Sequence, residues 1–104
     1  MKKLLIGMLL ISPNADPRRD CACIHNPDLV MLLFTVNSYE QAELYAKALA
    51  AAGCEAIELC PGFGHEGVGR IQQAVRLDVP VGVVRFDLHP SFGNHSGDWM
   101  QQHG

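Results

Sequence analysis

Basic residues are scarce in this chain. Eight Lys and Arg stand against eleven Asp and Glu, a formal net charge of −3, and the basic side chains form no run. That balance excludes the dense positive surface a phosphate backbone demands, and nucleic acid as a partner with it. Long apolar runs are also missing. The longest, at the start in MKKLLIGMLLIS, is about nine residues, against roughly 20 for a membrane helix, so no membrane partner is expected. Two lysines ahead of it imitate a secretory signal, but no A-x-A-like cleavage site follows; SPNADPRRD stands there instead. With no signal, the four cysteines are expected as free thiols in a reducing cytoplasm. Cys21 and Cys23 form C-x-C without the second half of a zinc site. No G-K-[ST] follows the glycines, which excludes a Walker A loop, and Glu66 stands where the Arg of a C-x5-R phosphatase loop belongs. There is no internal repeat and no composition break, so residues 1–104 read as one α/β domain.

The hydrophobic periods define a small, mostly parallel sheet of four to five strands with two main helices. Residues 3–11 read as a central strand, apolar on both faces. CACIH and LVMLLFTV, joined by Asn26-Pro27-Asp28, read as a hairpin. Ser38 and Gln41 form an S-x-x-Q capping box, followed by an apolar stripe of Ala42, Tyr45, Ala46, Leu49 and Ala52, with Gly53 as the terminating glycine. EAIELC is the next strand. A second helix ends near Arg76, with Val68, Ile71, Ala74 and Val75 inward, and VPVGVVRF is the last strand. Residues 87–104 show no period and read as a loop-like tail.

Two successive right-handed βαβ crossovers place both helices on one sheet face. Alternation along the strands assigns Ile57, Leu59, Gly82, Val84 and Phe86 to that face, and Ala56, Glu58, Cys60, Val81, Val83, Arg85 and Asp87 to the other. Two expectations follow. Glu58 and Arg85 meet as a buried ion pair on adjacent strands. The apolar remainder of the uncovered face is hidden by the tail or by another subunit, making a homo-oligomer.

Ligands in open α/β sheets bind beyond the carboxyl ends of the strands. Cys60, Asp87, His89 and the glycine loop fall there. Gly62-Phe63-Gly64-His65-Glu66-Gly67 is a literal G-x-G-x-x-G between a strand and a helix, with Asp87 twenty residues on. Three readings compete. A dinucleotide such as NAD is disfavoured because Glu66 would repel a pyrophosphate and Pro61 and Phe63 crowd the turn. A small anion suits the loop amides and the helix N-terminus, with Gly62 and Gly64 permitting backbone angles that a Cβ hinders. A plain tight turn is the structural alternative. A metal ion on His65, His89, Cys60, Asp87 and Glu66 has suitable ligand types but no diagnostic spacing. Cys60 with His65 as its base is the nucleophile reading.

G-F-G-H-E-G-V and V-R-F-D-x-H-P, with ISPNADP and YEQAELYAKALAAAGCEAIELC before them, resemble a family of small uncharacterised bacterial proteins, a domain of unknown function. The resemblance spans most of the chain. It implies a compact α/β unit and carries no activity, cofactor or catalytic residue. The residues themselves point to a small anionic metabolite held by Gly62, Phe63, Gly64, Glu58, Arg85 and Asp87. His65, His89 and Cys60 are the candidates for catalytic chemistry, in acid/base form for the histidines; no cofactor is favoured. The alternative is a non-catalytic oligomeric binding or scaffold protein.

Overall fold

A computed structural model describes residues 3–104. Five strands form one sheet in the order β2-β3-β1-β4-β5: β1 Leu4–Ile11, β2 Cys21–His25, β3 Leu29–Val36, β4 Ala56–Leu59 and β5 Val81–Val83. Only the β2–β3 pair is antiparallel. Its turn is set by Asn26, whose Oδ1 accepts the amides of Asp28 (2.8 Å) and Leu29 (3.0 Å), a side-chain mimic of a backbone turn. Helix α1 (Tyr39–Ala51) links β3 to β4 and α2 (His65–Val75) links β4 to β5.

Helix α1 starts where the capping box places it. Ser38 Oγ accepts the Gln41 amide at 3.1 Å, and Gln41 Oε1 reaches back to the Asn37 amide at 2.8 Å. The helix ends at Gly53, whose φ of 99° lies in the region that only glycine enters freely. The buried core lies between α1, α2 and one face of the sheet; Leu9, Val36, Ala46, Ile57, Leu59 and Ile71 are fully enclosed.

Register corrects the face assignment of the last strand. Ile57 pairs with Val81 and Leu59 with Val83, so Val81 and Val83 share the helix side with Ile57 and Leu59. Val81 to Val84 of VPVGVVRF are apolar or glycine throughout and carry no alternation to orient them. Strand β5 is also shorter than that run, and Arg85 lies past its end. Glu58, paired with Met8 and Gly82, points to the opposite side. The expected Glu58–Arg85 pair therefore does not form; Arg85 binds Asp87 and Glu58 is exposed.

The opposite sheet face carries two registered rows, Ile24–Met31–Ile6–Ala56 and Ala22–Leu33–Met8–Glu58. Leu4 and Leu29 lie beyond the first row and Leu10 and Thr35 beyond the second. Among the described residues no helix packs on this face, and none of these side chains joins the core. The shape agrees: Cα extents of 44 × 28 × 21 Å describe a slab two layers thick, since packed layers sit about 10 Å apart.

The tail is not a loop. Residues Pro90–Phe92 form a 3-10 turn and Gly97–His103 a third helix, α3. Helix α3 is short and polar, too brief for a readable period, and it rests against the N-terminal end of α2. Gly97 makes this possible. It is buried on the main chain of Gly62, so closely that a Cβ at 97 would overlap the Gly62 carbonyl.

Candidate functional site

The glycine loop after β4 turns because its amides find partners inside the chain. Gly62 N–H points at Cys60 Sγ (3.4 Å), and Phe63 N–H donates to the Cys60 carbonyl (3.1 Å). Gly64, the N-cap of α2, donates to the Tyr39 hydroxyl at 3.2 Å. Glu66 and Gly67, in the first turn of α2, donate to the two carboxylate oxygens of Asp98 at 2.9 and 3.0 Å. The helix N-terminus thus holds a carboxylate, as its dipole and free amides favour, and that carboxylate comes from α3. Gly62 and Gly64 serve this packing through their lack of a Cβ rather than through a left-handed backbone. Gly64 has φ −84°, a Cβ there would strike the Asp98 carboxylate, and one at 62 would strike Ile11.

Tyr39 ties the loop together. Its ring stacks on buried Phe63 with centroids 5.4 Å apart. Its hydroxyl lies 2.9 Å from Asp98 Oδ1 and 3.1 Å from the Gly62 carbonyl, either of which can accept its O–H hydrogen bond. Burial raises the phenol's pKa most, and the neighbouring Asp98 charge raises it further. Neither Tyr39 nor Asp98 was among the residues singled out from the sequence. Tyr39 reads there as an ordinary first helical residue. Asp98 had one faint signal, Ser96 two residues ahead as a helix cap: Ser96 Oγ accepts the Trp99 amide at 3.4 Å.

A cleft of about 270 Å³ opens between the start of α2 and the segment after β5. Phe63, Val68, Val83 and Phe86 supply apolar wall, and Gly64, His65, Arg85, Asp87 and Ser96 supply polar groups. Arg85 grips Asp87 with two nitrogens, Nε–Oδ1 2.9 Å and Nη2–Oδ2 3.3 Å. Those hydrogen bonds hold the Asp87 carboxyl below its usual range, and the charges of Arg85 and His65 add to the effect. Two wider, open depressions flank α2: one of about 560 Å³ in the groove with α1, where Glu43 pairs with Arg70, and one of about 670 Å³ beside the turn into β5.

The fold brings five of the sequence-derived candidates to this cleft: Phe63, Gly64, His65, Arg85 and Asp87. The others lie elsewhere. Cys60 is half-buried against the core. Gly62 floors a second hollow of about 220 Å³ beyond β1, with Ile11 beside it and Phe92 and Met100 from the tail. His89 caps the 3-10 turn, its Nδ1 accepting the Ser91 amide at 3.1 Å, with its ring between Phe86 and Phe92. Glu58 is on the far sheet face. Among the described residues no group of three or more His, Cys, Asp or Glu is arranged to hold a metal ion, and no helix is long and apolar enough to cross a membrane.

These features define a small α/β protein with a mostly parallel sheet and one helix-covered face. Residues 4–99 match the model of a family of unknown function, DUF6506, and the chain belongs to that family. No curated protein and no solved structure matches it.

Proposed function

We propose that the protein binds a small, singly charged carboxylate with an apolar body in the cleft between α2 and residues 83–87. The observation that carries this is the Arg85 fork at the mouth of an apolar-walled cleft, beside His65 and at the carboxyl end of the sheet. The loop amides are already engaged with Asp98 and Tyr39, so charge recognition falls to Arg85, whose planar fork matches a carboxylate. The ligand replaces Asp87 on the fork. Asp87, released beside His65, then orients that imidazole for proton transfer to the bound molecule. Asp87 in the cleft opposes a pyrophosphate, which ranks NAD below a simple carboxylate.

Isothermal titration with a series of short-chain and aromatic carboxylates, phosphate, sulfate and NAD tests this. Carboxylates are expected to bind, and Arg85→Gln to weaken them at least tenfold while leaving the fold intact, because Arg85 is exposed and makes no core contact. Binding of NAD alone, or of no anion in the series, would overturn the proposal.

A second reading is a non-catalytic oligomeric binding or scaffold protein. It is favoured by the way Asp98 fills the helix N-terminus from within and by the bare sheet face.

A further inference from the structure

The bare face demands a cover. Its apolar part lies on β2, β3 and β1, about 4.8 Å apart with side chains at about 6.7 Å intervals, and covers roughly 300 Å²; β4 adds Ala56 and Glu58, and β5 only Gly82. The largest contiguous apolar patch on a typical monomer is about 300–600 Å² and is often functional. The whole face, with its polar and glycine positions included, is roughly 500 Å², of the same order as the roughly 800 Å² each partner contributes to a stable complex. Its centre, Ile6, Met8, Met31 and Leu33 on β1 and β3, is half-buried only by its own neighbours. Across β1 and β3 these side chains stand in level register.

We propose that a second copy of this chain covers this face, sheet against sheet, about a two-fold axis along the β1–β3 seam. The proposal rests on the oligomer reading above and names its interface. Charge placement selects this arrangement. Glu58 is the charged side chain of the two central rows, and it lies one strand beyond β1. Ala22 lies in the same row, one strand beyond β3 on the other side. Rotation about the seam keeps each row at its own height and exchanges its two ends. Glu58 of each copy is then set over the small Ala22 of the other, at the rim and in reach of water. The two glutamates are kept apart, and the apolar centres coincide. A two-fold contact of this kind is self-complementary and closes, which an apolar patch meeting an unrelated surface does not. The product is a four-layer helix–sheet–sheet–helix sandwich, the inner sheets aligned to within about 30°. Both clefts remain outside it.

Sedimentation equilibrium of the full chain at micromolar concentration gives the expected result directly, a dimer mass. Met8→Arg and Met31→Glu are expected to yield monomers with the wild-type helical circular dichroism. Ala22→Arg, placed opposite Glu58, is expected to remain dimeric and to dissociate at least threefold less readily at low salt than at high salt. Wild-type protein that is monomeric would overturn both this proposal and the oligomer reading. An oligomer that persists in folded Met8→Arg and Met31→Glu would overturn the interface alone. A wild-type monomer that co-sediments with phosphatidylcholine vesicles would assign the face to lipid instead.

Discussion

Tyr39 joins three parts of the chain through one oxygen atom: α1, which carries it, the loop at Gly62 and Gly64, and α3 through Asp98. Replacing it with Phe leaves the Gly64 amide without its acceptor in a half-buried place, at a cost of about 1–2 kcal/mol. The raised pKa of the phenol makes a second measurement specific. The folded protein holds the proton more tightly than the unfolded chain, so the contribution is complete below the ordinary tyrosine pKa of about 10 and declines as the pH rises past it. Urea midpoints at about pH 8 and about pH 11 are expected to show this loss in the wild type, and a smaller one in Tyr39→Phe. Burial is the largest cause of the shift, and Ala42, Ala46 and Leu49 along the same helix are buried with it. The sequence made the last three legible through their spacing. Tyr39 lies one turn ahead of that stripe, where a cap and its first residues are read for polarity and not for burial.

Helix α3 shows what a short element hides from its sequence. Seven residues allow barely two turns, too few for an apolar stripe to repeat, so periodicity is silent over 97–103. What holds the helix in place is one carboxylate and one absent Cβ. Asp98→Ala is expected to lower stability by about 1–2 kcal/mol, the usual range for losing a side-chain cap. Asp98→Asn keeps one acceptor oxygen and should recover part of it. Amide exchange in α3 and at residues 66–67 should quicken in the alanine variant before exchange in the β1–β3 pairing does. Gly97→Ala acts differently, because main chain meets main chain there and no rotamer can move aside. A cost of about 1–3 kcal/mol is expected, and saturation mutagenesis should find position 97 all-or-none where position 98 is graded. Strands β1, β3 and β4 and both long helices were, by contrast, plain in the sequence. The helices carry a cap or an apolar stripe, β4 alternates, and β1 and β3 are long apolar runs bounded by turn residues. The orientation of β5 was not plain, since an unbroken apolar run presents the same character to either face.

Taken as a whole molecule, the slab keeps one helix-covered side and one bare side, with its polar groups gathered at the carboxyl ends of the strands. Chain order collects residues just after parallel strands at one end of the sheet; Phe63, His65, Arg85 and Asp87 line one cleft there, while Cys60 and His89, expected by the same argument, do not. Their partners were not legible from that order, because Arg85–Asp87 depends on where β5 stops. The position of β1 has a further bearing on how the chain is made. It precedes both strands that flank it, β3 and β4, and it is the most apolar of the five. During synthesis it therefore waits, with one edge unpaired until residues 56–59 have emerged. A nascent chain halted between β3 and β4 offers that open edge to any other strand nearby. Ribosome-bound chains arrested there should recruit more of the chaperones that hold exposed apolar segments than chains arrested beyond β5, in which both edges of β1 are paired.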